Sequence, residues 1–144
     1  MNGLDSIPED GLITVDTAPI IYFLEGRAHF ADYFAPLFER IERGQHRGVI
    51  ASVTLTEILA GPLSHGNEIL ADRYYHALAA SSNWLVQDLT AELAFLAARI
   101  RARYQLKLPD AVQVATAIHT GSAALVSHDR DFRNIREIKV LGLS

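Results

Sequence analysis

The sequence predicts an α/β fold: a mainly parallel sheet with helices on both faces. Three observations carry this. Short apolar runs alternate with longer amphipathic segments along the whole chain, a pattern that calls for crossover connections and parallel strands. The run LPDAVQVATAIHTGSAALVSHDRDF, Leu108 to Phe132, reads as a helix, a tight turn, a wholly apolar strand and a loop with two aspartates. Finally, Asp16, Glu57, Asp110 and Asp129 each fall just past a strand or at the start of a helix, where open α/β sheets bind ligands.

The elements follow in order. Residues 1–11 are expected to form a loose lead-in. Leu12 to Val15 is a brief strand that ends at Asp16. A helix begins at Thr17, with Pro19 in its first turn, apolar Ile20, Ile21, Phe23 and Leu24 to bury, and Gly26 to end it. Residues 29–44 are aromatic-rich and helical. Pro36 is expected to split them into a short turn and a helix ending at Gly44. There Phe34, Leu37, Phe38 and Ile41 have helical spacing and read as core or an oligomer face. Val49 to Ser52 is the second strand, and Glu57 lies early in the helix after it. Residues 67–80 form an amphipathic helix, and Trp84 to Val86 a third strand. Thr90 caps a long helix from Ala91 to about Tyr104, with Leu93, Leu96 and Ile100 facing inward. Pro109 suits the first turn of the next helix, Gly121 closes it, and Ala123 to Val126 is a buried strand. Ile138 to Leu141 is a last short strand.

A chain of 144 residues suits one domain, residues 1–144, with a sizeable core. At 49% hydrophobic and 21% charged residues it reads as globular rather than disordered. No run is long and apolar enough for a membrane, and the N-terminus lacks the pattern of a secretory signal, so a cytoplasmic location is expected. The absence of cysteine excludes disulfides, thiolate metal sites and a cysteine nucleophile. A net charge of −4 argues against a uniformly basic nucleic-acid binder but allows a local basic rim. Arginines cluster at 40/43/47, 99/101/103 and 130/133/136. The first two clusters read as solvated faces, and the third, beside Asp129, as a phosphate-holding rim through Arg130 or Arg133.

If the four acids converge, their charges repel by several kcal/mol per pair at about 4 Å and an effective dielectric near 20. A hard divalent cation relieves this. Magnesium takes carboxylate oxygens and water, whereas zinc prefers the cysteine and paired-histidine ligands missing here. Such an ion makes hydroxide available near neutral pH and neutralises charge on phosphoryl oxygens, which is the chemistry of phosphodiester hydrolysis. No serine–histidine–aspartate constellation is readable. His119 reads as a helix-end residue and His128 as a loop residue beside the site.

The segments ITVDTAPIIYFLEG, ASVTLTEILAG, LKLPDAVQVATAI and ALVSHDRDF, in that order, resemble the PIN-domain ribonucleases, and among them the VapC-type toxins of toxin–antitoxin pairs. The resemblance runs from about Leu12 to Leu143. It implies a PIN-like three-layer sandwich with acids at the C-terminal strand ends, and an endoribonuclease dependent on Mg²⁺ or Mn²⁺. The family's strand-end aspartate maps onto Asp16, its glutamate onto Glu57, its helix-opening aspartate onto Asp110, and its (T/S)-x-D-x-D-F segment onto Ser127, Asp129, Asp131 and Phe132. Asp16, Glu57, Asp110 and Asp129 are thus the implied catalytic metal ligands. Asp131 is a further candidate ligand or the cap of the following turn. Thr17 and Ser127 are candidate hydrogen-bonding supports for the carboxylates, with routine capping as the alternative.

Implied partners are RNA as substrate, a cognate antitoxin, a second copy of the chain in a homodimer, and DNA only through an antitoxin; no membrane partner is implied. Two other readings are an inert PIN-like interaction module and a phosphatase with Asp16 as nucleophile. The second is opposed by Ala18, where phosphatases of that type want a second aspartate.

Overall fold

The computed structural model describes residues 1–26 and 28–143. Its frame is a five-stranded sheet, every adjacent pair parallel, in the order β3-β2-β1-β4-β5. The strands are β1 (Leu12–Val15), β2 (Arg47–Ala51), β3 (Trp84–Gln87), β4 (Ala124–Val126) and β5 (Val140–Leu141). The helices are α1 (Thr17–Glu25), α2 (Ala28–Glu42), α3 (Ser52–Ser64), α4 (Glu68–Leu78), α5 (Ala91–Tyr104) and α6 (Leu108–His119). The chain lays down β1, β2 and β3 outward in one direction, then returns to place β4 and β5 on the other side of β1. The reversal makes a switch point between β1 and β4. The two connections leave the sheet in opposite directions there and open a crevice at the C-terminal strand ends.

Side-chain alternation along the strands divides the core. Ile13, Val15, Ile50, Trp84, Ala124 and Val126 meet one layer, which includes Ile20, Phe34, Leu37, Phe38, Ile41 and Leu78. Leu125 meets the other through Ile100, Ala111, Val114 and Ala117 of α5 and α6, and Ala51 packs with Leu93, Ala97, Val112 and Ala115. The small residues of α6 let it lie close under the sheet, which explains why Ala111 to Ala117 are buried without a break. β2 and β3 also approach closely. Gly48 pairs with Trp84, and a Cβ at Gly48 would stand 2.4 Å from the indole ring.

The parallel sheet and its flanking helices agree with the fold class read from the sequence, and most elements lie within a residue or two of their expected positions. Pro36 is the exception. It does not split residues 29–44: α2 runs through it from Ala28 to Glu42. Proline removes one backbone hydrogen bond and crowds the carbonyl four residues earlier. Here Pro36 and Asp32 are both exposed, so water can serve the freed carbonyl, while Phe34, Leu37, Phe38 and Ile41 hold the helix to the core. In the lead-in, Leu4–Ser6 forms a 3₁₀ turn, and Leu4 and Ile7 are buried against the core. Among the described residues no helix is long and apolar enough to cross a membrane.

Candidate metal centre

Asp16 follows β1 at the switch point. Its backbone N–H donates to the Val126 carbonyl at 2.9 Å, which ties the tips of β1 and β4 together. Its side chain is buried and caps α1: Oδ1 accepts the Thr17 N–H at 2.7 Å, and Oδ2 accepts the Ser127 hydroxyl at 2.7 Å. Ser127 is fully buried just past β4. Its N–H donates to the Leu141 carbonyl of β5 at 2.9 Å, and its Oγ accepts the Asp129 N–H at 2.9 Å. One hydroxyl thus fixes two acids. Behind it Gly142 adopts φ +97°, and a Cβ there would stand 2.7 Å from the Ser127 carbonyl, so only glycine fits without displacing this loop.

Asp110 arrives from the opposite layer, in the first turn of α6. Carboxylate oxygens of Asp110, Asp129 and Asp131 lie within 4.8 Å of one another. At that spacing each pair of charges repels by about 3 kcal/mol at an effective dielectric near 20. Burial, followed by the charges of Asp16, Asp129 and Asp131, pushes the Asp110 carboxyl up to about 6, and Lys107 pulls it back in part. Glu57 lies on α3, and burial and the Asp16 charge raise its carboxyl above the ordinary range. Asp16, Glu57, Asp110 and Asp129 line one cavity of about 320 Å³. Asp131 belongs to the close trio, and its N–H donates to Asp129 Oδ1 at 2.8 Å, so Asp129 also caps the 3₁₀ turn Arg130–Phe132.

The donor set fits a hard divalent ion. The convergent ligand atoms are carboxylate oxygens, and their mutual repulsion is what such an ion removes. A further observation concerns Gln113, one turn after Asp110 on the same helix. It is buried and lines the cavity, and its Oε1 has no hydrogen-bond partner. An unanswered amide oxygen beside a carboxylate cluster suits a water held by the ion.

Two groups, Gln113 and Lys107, were not read from the sequence as part of this site. Gln113 is a polar residue within an otherwise apolar helix, and that break in pattern was its signal. Lys107 lines the cavity and stands directly before the helix that carries Asp110. Asp131, the further candidate ligand of the sequence, lies with Asp110 and Asp129 in the close trio. Thr17 lines the cavity too, but its backbone N–H, not its hydroxyl, meets Asp16; its Oγ1 is buried without a partner. Of the expected phosphate-holding arginines, neither Arg130 nor Arg133 is among the described residues lining the acid cavity, and Arg133 lines a different one. The His128 ring packs among Phe30, Tyr33 and Phe34, with centroids 5.5, 6.2 and 6.0 Å away.

The model of the PIN domain family matches residues 13–138. No curated protein matches the chain. Among solved structures, the chain is similar to one in VapBC2 from Rickettsia felis bound to a promoter DNA fragment, with TM-score 0.68, 17% identity, and coverage of 90% of this chain and 96% of that one. It is similar to a chain of a toxin–antitoxin complex from Klebsiella pneumoniae, with TM-score 0.67, 23% identity and coverage of 90% and 95%. It is also similar to VapC20 from Mycobacterium tuberculosis, described as a sarcin–ricin loop cleaving toxin, with TM-score 0.64, 15% identity and coverage of 88% and 98%. At these identities the likeness is one of fold.

Proposed function

This chain belongs to the PIN domain family, and we propose that it is a metal-dependent endoribonuclease acting as the toxin of a toxin–antitoxin pair. The observation that carries this reading is the convergence of Asp110, Asp129 and Asp131 within 4.8 Å, beside buried Asp16, at the switch point of the sheet. Asp16, Glu57, Asp110 and Asp129 would hold Mg²⁺ or Mn²⁺, with Asp131 as an additional ligand. When bound, such an ion supplies a Lewis acid that lowers the pKa of water and neutralises charge on phosphoryl oxygens. The chain's own part is orientation. Ser127 fixes the Asp16 carboxylate and the Asp129 backbone together, the kind of support that sharpens ligand geometry. Gln113 Oε1 and Lys107 border the same cavity, where the amide oxygen can accept from the attacking water and the ammonium can meet a phosphoryl oxygen.

The cognate antitoxin is a partner in this reading, supported by the fold shared with chains of toxin–antitoxin complexes. DNA contact would come only through that antitoxin. A homodimer and a cytoplasmic location belong to the same proposal. Purified chain, freed of any antitoxin, should cut single-stranded RNA with Mg²⁺ or Mn²⁺ and stop in chelator. RNA left intact with both metals, by protein that melts cooperatively, would contradict the reading.

A further inference from the structure

A second cavity, of about 810 Å³, is separate from the acid cavity and lies between the end of α5 and the segment after the Arg130–Phe132 turn. It is lined by Arg103, Tyr104, Arg133, Asn134, Arg136 and Glu137, among others. Here the fold joins two arginine clusters far apart in sequence, one from α5 and one from the loop that carries Asp129 and Asp131. The second cluster was expected as a rim, but Arg103 was expected on a solvated face.

The charges in this cavity are unequal. Glu137 is its one lining acid and is already engaged: Arg103 pairs with it at 2.5 Å and the Tyr104 hydroxyl donates to it. The Tyr104 oxygen also accepts the Arg136 N–H at 3.3 Å, which fixes the floor of the cavity. Arg133 donates to the Arg130 carbonyl at 3.2 Å. Among the described residues no carboxylate lies within ion-pair distance of Arg133 or Arg136. In a chain of net charge −4, two guanidinium groups without acid partners thus border a cavity of ligand size. Guanidinium forks match phosphate oxygens, an aromatic side chain offers a stacking surface, and an amide such as Asn134 can meet a base edge. Arg133 is two residues from Asp131, which limits their Cα separation to about 7.6 Å. The cavity therefore adjoins the acid centre along one continuous loop.

We infer that this cavity seats a neighbouring nucleotide of the single RNA strand whose phosphodiester lies at the acid centre, with Arg133 and Arg136 on its phosphate and Tyr104 against its base. The inference rests on the ribonuclease reading and extends it from the reaction to the substrate path. It also gives the overall acidic chain a means of holding a polyanion beside a cluster of aspartates.

The test is fluorescence anisotropy with a labelled single-stranded RNA of about ten nucleotides, in an Asp110→Asn background that prevents cleavage. Arg133→Ala with Arg136→Ala should weaken binding about tenfold and flatten the log–log salt slope by about 0.7, the share of one single-strand phosphate. Both side chains are exposed, so melting should be unchanged. The double lysine variant should keep the salt slope while losing part of the affinity, because it preserves charge but not the fork. With Asp110 restored, the double alanine variant should show a raised KM for the long RNA. Unaltered affinity and slope, or an equal loss from Arg43→Ala just past the end of α2, would overturn the inference. So would a double variant that binds RNA normally but no longer binds an antitoxin, since the occupant would then be protein. RNA cut normally by the double variant sinks the cavity and spares the nuclease. Binding lost in the double variant, with no cleavage by the native chain, sinks the nuclease and spares the cavity.

Discussion

The two ends of the parallel sheet treat their polar groups differently. At the N-terminal end, most buried groups are answered by neighbours, with His46 Nδ1 the exception. Arg40 donates to the Leu4 carbonyl at 3.1 Å, pairs with Asp5 at 2.6 Å and reaches the His46 ring at 3.5 Å. Thr14, Ser122 and Thr120 form a hydroxyl chain at 2.9 Å per step. At the C-terminal end, carboxylates are set mainly against one another, and burial raises the cost. One end closes on itself and holds the fold together. The other is left electrostatically incomplete, and in the proposed reading a divalent cation completes it.

Asp110→Asn breaks this contrast most strongly. RNA cleavage should fall by more than about a hundredfold, since losing even a group that merely supports a metal ligand costs ten- to a hundredfold. Stability should move the other way. The folded carboxyl titrates near 6 and the unfolded one near 3.8, so the folded state binds the proton more tightly. The share of stability that Asp110 governs is therefore fully present below about pH 4, is lost as pH rises from there through 6, and stays absent above it. In chelator at pH 7.5, Asp110→Asn should melt higher than the native chain by an amount on the order of 1–3 kcal/mol, with the gap closing towards pH 4. A large loss of stability instead would make Asp110 a structural cap.

Where β2 pairs with the edge strand β3, Gly48→Ala should destabilise by roughly 1–3 kcal/mol, because the new methyl meets the flat Trp84 ring rather than a side chain that can swing aside. Denaturant unfolding measures this, and metal affinity of the folded protein should be unchanged. Ser127→Ala sharpens the comparison from the other side. It should cost about 1 kcal/mol for the lost hydrogen bonds, and metal affinity should fall roughly tenfold as Asp16 and Asp129 lose their common support.

The smallest effect belongs to His46. Burial, then the Arg40 charge, lowers its pKa below 6.5. Its stabilising share is present above 6.5 and lost as pH falls through the lowered value. Its sign is opposite to that of Asp110 over much of the same pH range, so the clean measurement compares His46→Gln with its parent in the Asp110→Asn background. There the variant should lose less stability than the parent as pH falls from 7 to 5.

Much of this was legible in the sequence because local chemistry and global fold agree. Thr90 caps α5 as its position suggests, with Oγ1 accepting the Leu93 N–H at 3.2 Å, and the apolar run of α6 announced its burial. Asp16, Glu57, Asp110 and Asp129 were legible as strand-end and helix-start acids, and they line one cavity. Pro36 was misleading because its intrinsic cost is real; tertiary burial of Phe34 and Phe38 outweighs it, and a local reading cannot weigh that. Gln113, Lys107 and the meeting of Arg103 with Arg133 and Arg136 were not legible because each depends on how α5 and α6 settle against the loop after β4.

Calorimetric titration of Mn²⁺ into chelator-treated native protein at pH 6 asks most directly whether the C-terminal end is built around a cation. Saturable binding should appear, accompanied by proton release as Asp110 ionises, and both the binding and the released protons should be lost in Asp110→Asn. Heats no larger than dilution at millimolar metal, or identical binding by the variant, would contradict it.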